Sequence, residues 1–220
     1  KSKEIKKNKF LIKNNYKNFF WHLAANSDIR LSSRLKKIDY KNTYLTTKHF
    51  FNLSKKLKSN FFFFASSSAV YGDLNKSLVE NQIKLNPISN YGKMKLKSER
   101  ILINDKKVLN KIVFRFPNVI GKFLTHGIIF DFKKKIQNSN KLHVLGDGSQ
   151  SKPYIRVKKL IELIFLSKKI STKYKTEIIN IGPHNQGTSV KFIVNNFLKK
   201  FNRKIYVNYE EKNIGWKGDI

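Results

Sequence analysis

Two short apolar runs without polar alternation predict buried strands. The first is NFFWHLA, which begins at Asn18, and the second is NFFFFASSS, which begins at Asn60. A strand that is covered on both faces has no polar side, so an unbroken apolar run favours a central place in a parallel sheet. Four later segments also have the length and composition of strands: KIVFRF, KLHVLG, TEIINIG and KIYVNY.

Segments with helical periodicity separate these strands. They cover residues 40–57, a stretch that starts near Ser89, and residues 128–136, 157–169 and 189–201. Strands that alternate with helices form a mostly parallel sheet with helices on both faces, because each crossover must return over the sheet. The pattern therefore predicts a doubly wound α/β fold, in which ligands bind beyond the carboxyl ends of the strands.

The amino-acid composition limits which classes of molecule the protein is expected to bind. The formal net charge is +32, yet only 6 of the 46 basic residues are Arg, and Lys is spread over the whole length. Base readout relies on Arg forks, so we expect no specific nucleic-acid partner. The absence of Cys excludes disulfides and cysteine chemistry. No apolar run reaches about 18 residues, so we expect no membrane span and no membrane partner. We expect a cytoplasmic protein without a metal site.

Three loops with small or polar residues follow predicted strands. They are HLAANS from His22, ASSSAVYG from Ala65, and PNVIG from Pro117. Small residues allow a ligand to approach the backbone, and hydroxyls at a strand end can bond to it. Turn formation alone explains each loop equally well. Three such loops at successive strand ends favour a binding site.

A Tyr-Lys pair lies on the helix that starts near Ser89. Tyr91 and Lys95 are one turn apart and share a helix face. They are either a catalytic pair, in which the Lys charge favours the ionised phenol, or two residues of an ordinary amphipathic helix.

The motifs HLAA, SSSAVYG, YGKMK, RFPNVIG and LGDGSQSKPYI occur in this order. Together they resemble the extended short-chain dehydrogenase/reductase family of NAD-dependent sugar-nucleotide epimerases and dehydratases, and within it the UDP-hexose 4-epimerases. The resemblance covers most of the chain, from about His22. It implies a partial Rossmann-like NAD-binding domain, incomplete at the N-terminus, in residues 1–122. Residues 123–220 would form mainly a small substrate lobe, with some elements returning to the main sheet.

The resemblance also implies roles for single residues. Tyr91 is the expected general base, Lys95 its cationic partner, and Ser67 the hydroxyl that binds the substrate oxygen, with Ser68 as the second choice in the serine run. Asn42 is expected to buttress the active-site strand near NAD. The residues expected at the cofactor are Leu23, Ala24, Ala25, Ser27, Asn42, Ala65, Tyr91 and Lys95. Those expected at a nucleotide-sugar substrate, most simply a UDP-hexose, are Ser67, Asn118, His143, Leu145 and Lys152.

Family members open with a Gly-rich turn that holds the NAD pyrophosphate, whereas the first Gly here is Gly72. We therefore expect the chain to be a fragment of a longer protein. The alternatives to a 4-epimerase are a related dehydratase or reductase, and a non-catalytic remnant that keeps the fold. A dehydratase is disfavoured, because Ser68 and Ala69 stand where its Asp-Glu pair is usual. A homodimer through the helix bearing Tyr91 is an expectation by analogy.

Overall fold

A computed structural model describes residues 18–26, 35–72, 78–81, 84–106, 110–170, 176–184 and 187–210. Its strands are β1 (Phe19–His22), β2 (Phe61–Ala65), β3 (Asn110–Arg115), β4 (Asn118–Ile120), β5 (Lys141–Val144), β6 (Ser151–Lys152), β7 (Tyr154–Arg156), β8 (Thr176–Asn180), β9 (Thr188–Ser189) and β10 (Tyr206–Tyr209). Its α-helices are α1 (Lys36–Asp39), α2 (Thr46–Lys56), α3 (Asn90–Asn104), α4 (Ile128–Gln137), α5 (Val157–Ile170) and α6 (Val190–Leu198). A π-helical stretch, Tyr40–Leu45, joins α1 to α2, and a 3₁₀ turn covers Ser68–Val70.

The main sheet of the described ranges has four parallel strands in the order β1, β2, β3, β8. Phe64 in β2 lies opposite His22 in β1 and Val113 in β3, and Val113 lies opposite Ile178 in β8. Parallel neighbours must be joined by crossovers, and helices α2 and α3 form them here. The prediction of a doubly wound α/β fold with a mostly parallel sheet is confirmed.

The four phenylalanines of β2 build the core on both sides of the sheet. Phe62 and Phe64 belong to a cluster with Phe51 of α2 and Leu102 of α3. Phe63 points to the opposite face, into a cluster that includes Leu160 of α5. Phe62, Phe63 and Phe64 are completely buried, so the prediction of a strand covered on both faces is confirmed.

A second apolar cluster gathers elements from the later part of the chain. It joins α4, β5 and α6, with Phe132, Leu142 and Val194 among its buried members. Strand β5 pairs in parallel with β10. Helix α5 and strand β8 come from the same part of the sequence but pack on the main sheet.

The sequence pattern does not predict four short strands. Strand β4 pairs in parallel with β7, and β6 pairs antiparallel with β9. Each has two or three residues, which is too short for any periodicity to be visible. The helix predicted over residues 40–57 begins earlier, at Lys36, and contains the π-helical stretch. No helix in the described ranges is both long and apolar enough to cross a bilayer.

Candidate active site

A cavity of about 370 Å³ opens at the carboxyl ends of β2 and β3. Ser67 and Ser68 line it from the loop after β2, Tyr91 lines it from α3, and Asn118 lines it from β4. Three residues proposed from the sequence, Ser67, Tyr91 and Asn118, therefore meet around one space. Their meeting follows from the parallel sheet, whose strands all end at the same edge.

The start of α3 fixes the position of Tyr91. Ser89 is the N-cap, and its hydroxyl accepts a hydrogen bond from the Gly92 N–H at 3.0 Å. Such a cap satisfies a backbone donor that the first helical turn leaves open. At Gly92 an added Cβ would lie only 2.5 Å from the Ala69 carbonyl oxygen. Glycine thus lets the helix approach the loop that carries Ser67.

Lys95 is buried behind the cavity and is only 2% exposed. Its ammonium donates to the Ala65 carbonyl oxygen at 2.6 Å and lies 4.9 Å from the centre of the Phe64 ring and 5.6 Å from that of Tyr91. Burial lowers the pKa of Lys95 to about 7, although nearby Glu99 and Asp39 act to raise it. Lys95 is therefore not a solvated residue of an ordinary amphipathic helix.

The three serines after β2 have different environments. Ser66 is buried, and its hydroxyl donates to the Glu99 carboxylate. Ser67 lines the cavity, and its hydroxyl oxygen accepts from the Ala69 N–H at 3.2 Å. Ser68 also lines the cavity. A hydroxyl available to a ligand therefore comes from Ser67 or Ser68, and the Ser67 hydroxyl retains its proton to donate.

The loop after β1 is exposed at its start and half-buried further on. Leu23 is 66% exposed, Ala24 is exposed and Ala25 is half-buried. Ser27 lies outside the described residues. His22, by contrast, is buried, and its Nε2 lies 3.0 Å from the Thr47 hydroxyl. Burial, with a smaller effect of the Lys95 charge, lowers the pKa of His22 to about 4, so the ring is neutral near pH 7.

The prediction that Asn42 buttresses the active-site strand near NAD stays a prediction. Asn42 is exposed on the π-helical stretch. The loop after β1 is held by the next residue, Thr43, whose hydroxyl accepts from the Asn26 N–H at 3.1 Å. Asp39 adds a second contact, accepting from the Asn26 side chain at 2.7 Å and from the Asn90 side chain at 3.1 Å.

The other residues proposed from the sequence are spread more widely. Asn118 is exposed, and its amide donates to the Pro153 carbonyl at 3.4 Å. Ala65 ends β2 and is buried. His143 and Leu145 are exposed at and just after β5, and Lys152 is half-buried in β6. These last three lie outside the cavity lining of the described residues.

A buried charged cluster next to the site is missing from the sequence-based assignment. Arg115 donates to the Glu99 carboxylate at 2.6 and 3.0 Å and to the Tyr71 hydroxyl at 2.9 Å. The helical spacing was a usable signal, because Glu99 follows Lys95 by four residues, as Lys95 follows Tyr91.

Comparison with known proteins identifies the family. The model of the NAD dependent epimerase/dehydratase family matches residues 7–182, and the chain belongs to this family. It is 29% identical over 139 residues to a UDP-glucose 4-epimerase from Lactobacillus helveticus, a match that covers 54% of this chain and 42% of the relative. The chain spans about half the length of the curated relatives that it matches.

Solved structures show the same fold. A UDP-glucose 4-epimerase structure superposes with a TM-score of 0.78 at 25% identity and covers 94% of this chain and 68% of that chain. A UDP-glucuronic acid 4-epimerase from Bacillus cereus, solved with UDP-glucuronic acid and NAD, has a TM-score of 0.76 at 23% identity, with 90% of this chain and 63% of that chain covered.

Proposed function

We propose that the protein that contains this chain is an NAD-dependent UDP-hexose 4-epimerase. The observation that carries the proposal is the meeting of Ser67, Tyr91 and Asn118 around one cavity, with Lys95 buried directly behind Tyr91. Likeness to UDP-glucose 4-epimerases in sequence and fold supports the substrate class.

Tyr91 is the proposed general base, which takes the proton from the sugar 4-hydroxyl. A phenol needs help to act as a base near neutral pH, and a nearby positive charge provides it by favouring the phenolate. Lys95, whose Nζ lies 5.6 Å from the Tyr91 ring centre, is suited to this role up to about pH 7, where it still carries its proton. Ser67 would hydrogen-bond the same substrate oxygen and keep it in line with the phenol.

The residues present fit part of an NAD site. The small side chains of Ala24, which is exposed, and Ala25, which is half-buried, leave room for a ligand at the end of β1. Asp39 links this loop to the helix that carries Tyr91 and Lys95, because it accepts from both Asn26 and Asn90. Leu23, Ser27, Asn42 and Ala65 remain proposed contacts of the cofactor. When bound, NAD would accept a hydride from sugar C4 and return it to the opposite face of the 4-keto sugar.

Substrate contacts outside the reacting centre remain proposals as well. Asn118 has an amide at the cavity rim that could donate to a diphosphate. Lys152 would add positive charge, and His143 with Leu145 would flank the nucleotide base. A homodimer through α3 is proposed from the family resemblance alone.

A dehydratase is the less favoured alternative. Elimination of water from the sugar requires an additional acid and base near the reacting carbons. Among the described residues that line the cavity, none is Asp or Glu. Ser68 and Ala69 begin the 3₁₀ turn where a dehydratase would offer its acidic pair.

The test is turnover of UDP-glucose to UDP-galactose by the protein that contains this chain, with and without Tyr91→Phe. Loss of a general base should lower kcat by roughly 10²–10⁴ while binding of UDP and of NAD, measured by titration calorimetry, is retained. Tyr40→Phe, on the exposed side of the π-helical stretch, is the matched control and should keep full activity. Near wild-type turnover by Tyr91→Phe would reject the role of Tyr91. Wild-type protein that binds neither NAD nor a UDP-sugar would instead support a non-catalytic remnant.

A further inference from the structure

A buried ion pair lies behind the cavity, outside the residues that the proposed chemistry uses. Glu99 of α3 and Arg115 at the end of β3 make two parallel hydrogen bonds, and their side chains are 0% and 2% exposed. Desolvation of two charges is expensive, and apolar residues of similar volume often stabilise a core as well or better. Stability alone is therefore a weak reason for this pair.

The pair and its neighbour Lys95 fasten one end of the loop that carries the cavity serines. Lys95 donates to the Ala65 carbonyl, and Ser66, which follows Ala65 in the chain, donates to the Glu99 carboxylate. Both contacts join α3 to the chain immediately before Ser67.

The other end of the same loop is fastened by Arg115. Its guanidinium donates to the Tyr71 hydroxyl at 2.9 Å and lies 4.9 Å from the centre of the Tyr71 ring. The Tyr71 hydroxyl in turn donates to the Asn180 side chain at 2.8 Å, at the end of β8. Ser67 and Ser68 thus lie between two anchored points, while Tyr91 lies on the helix that provides Glu99.

We propose that Glu99 and Arg115 are positioning residues that set the separation between the Ser67 hydroxyl and the Tyr91 phenol across the cavity. This inference rests on the proposed function. Two groups that act on one substrate oxygen must be held to a fraction of an ångström, and a misplacement of 1 Å can cost about 10² in rate. A charged, forked contact fixes direction as well as distance, which apolar packing does not.

The main test replaces the pair with apolar residues of similar volume, Glu99→Leu with Arg115→Met, so that neither charge is left alone in the core. The expected result is a kcat for UDP-glucose that falls by at least about tenfold, with KM changed by less than about twofold. Glu162→Gln removes an exposed carboxylate of α5 that also pairs with a basic residue, and it should leave kcat unchanged. A double variant with wild-type kcat would overturn the proposal.

Hydrogen exchange provides a readout that does not depend on activity. In the double variant, amides of residues 66–71 should exchange faster while β2 and β3 keep their protection. Absence of turnover in the wild type rejects the proposed function, and exchange then decides the positioning role by itself. Unchanged exchange at residues 66–71 would overturn it. If the double variant does not fold, Ser66→Ala, which removes one link and keeps the ion pair, is measured by the same two readouts with the same criteria.

Discussion

Replacement of Lys95 by methionine should change how the stability of the protein depends on pH. The Lys95 side chain is buried, and its pKa falls from an ordinary value of 10.5 to about 7 on folding. Between these two values the unfolded chain binds the proton and the folded chain does not. Stability therefore rises with pH across this window, and the cost of burying the ammonium is fully present below pH 7.

The size of this pH dependence of stability follows from the shift in the pKa of Lys95. A difference of one pKa unit corresponds to 1.36 kcal/mol, so the whole window is worth about 5 kcal/mol. Between pH 7 and 9.5, where the chain can be handled, Lys95 should add about 3 kcal/mol to the free energy of unfolding. The Lys95→Met variant lacks this contribution, so the stability difference between the two proteins should shift by that amount in favour of the wild type.

Urea unfolding followed by tryptophan fluorescence measures this difference, since Trp21 stacks on Phe63 in the sheet with ring centres 4.1 Å apart. Comparison with the variant cancels the titration of groups common to both proteins. Lys93→Met is the matched control, because Lys93 is an exposed residue of the same helix and its replacement removes the same charge. Parallel stability curves for wild type and Lys95→Met from pH 7 to 9.5 would refute the reasoning.

Three further outcomes are expected. His22 should titrate near pH 4 in a proton NMR experiment, and a midpoint near 6.5 would contradict its burial. Because its folded pKa lies below 6.5, the stability of the protein should fall as the pH drops from about 6.5 to 4. Gly92→Ala should lower the thermal stability by about 1–3 kcal/mol despite the better helix propensity of alanine, because its Cβ meets the Ala69 carbonyl; an unchanged melting temperature would contradict this. Phe63→Ala should cost about 3–5 kcal/mol in urea unfolding, whereas Phe123→Ala, at a residue that is 96% exposed, should cost almost nothing; equal effects would be inconsistent with the core described above.

The sequence predicts the sheet well because its central strands are unusually apolar. An unbroken run such as residues 61–64 has few alternatives to a strand buried on both sides. Ser89 likewise marks the start of α3, because a capping hydroxyl has a fixed relation to the helix that follows. These are local signals, and each depends on only a few neighbouring residues.

Other features depend on contacts that no local pattern reveals. Glu99 and Arg115 are 16 residues apart and become a pair only when α3 packs beside β3. The contact of Thr43 with the first loop joins residues that are 17 apart in the chain, and no pattern in the sequence marks it. The contact of Ser66 with Glu99 likewise requires the structure, because the serine run itself does not show which hydroxyl turns to the helix.

The phenylalanine run of β2 has a consequence for how the chain finds its fold. A one-residue slip normally exchanges apolar and polar side chains between the faces of a strand, and the resulting penalty selects the correct register. In β2 such a slip replaces one phenylalanine by another on both faces, so the interior residues hardly discriminate. The correct register must therefore be selected by contacts at the two ends of β2. At one end Asn60 accepts from the Asn18 N–H at 2.7 Å, and at the other Ser66 donates to Glu99. Misaligned sheets should therefore be near in energy to the native one, and refolding should pass through slow realignment steps that a variant at Asn60 or Ser66 would lengthen.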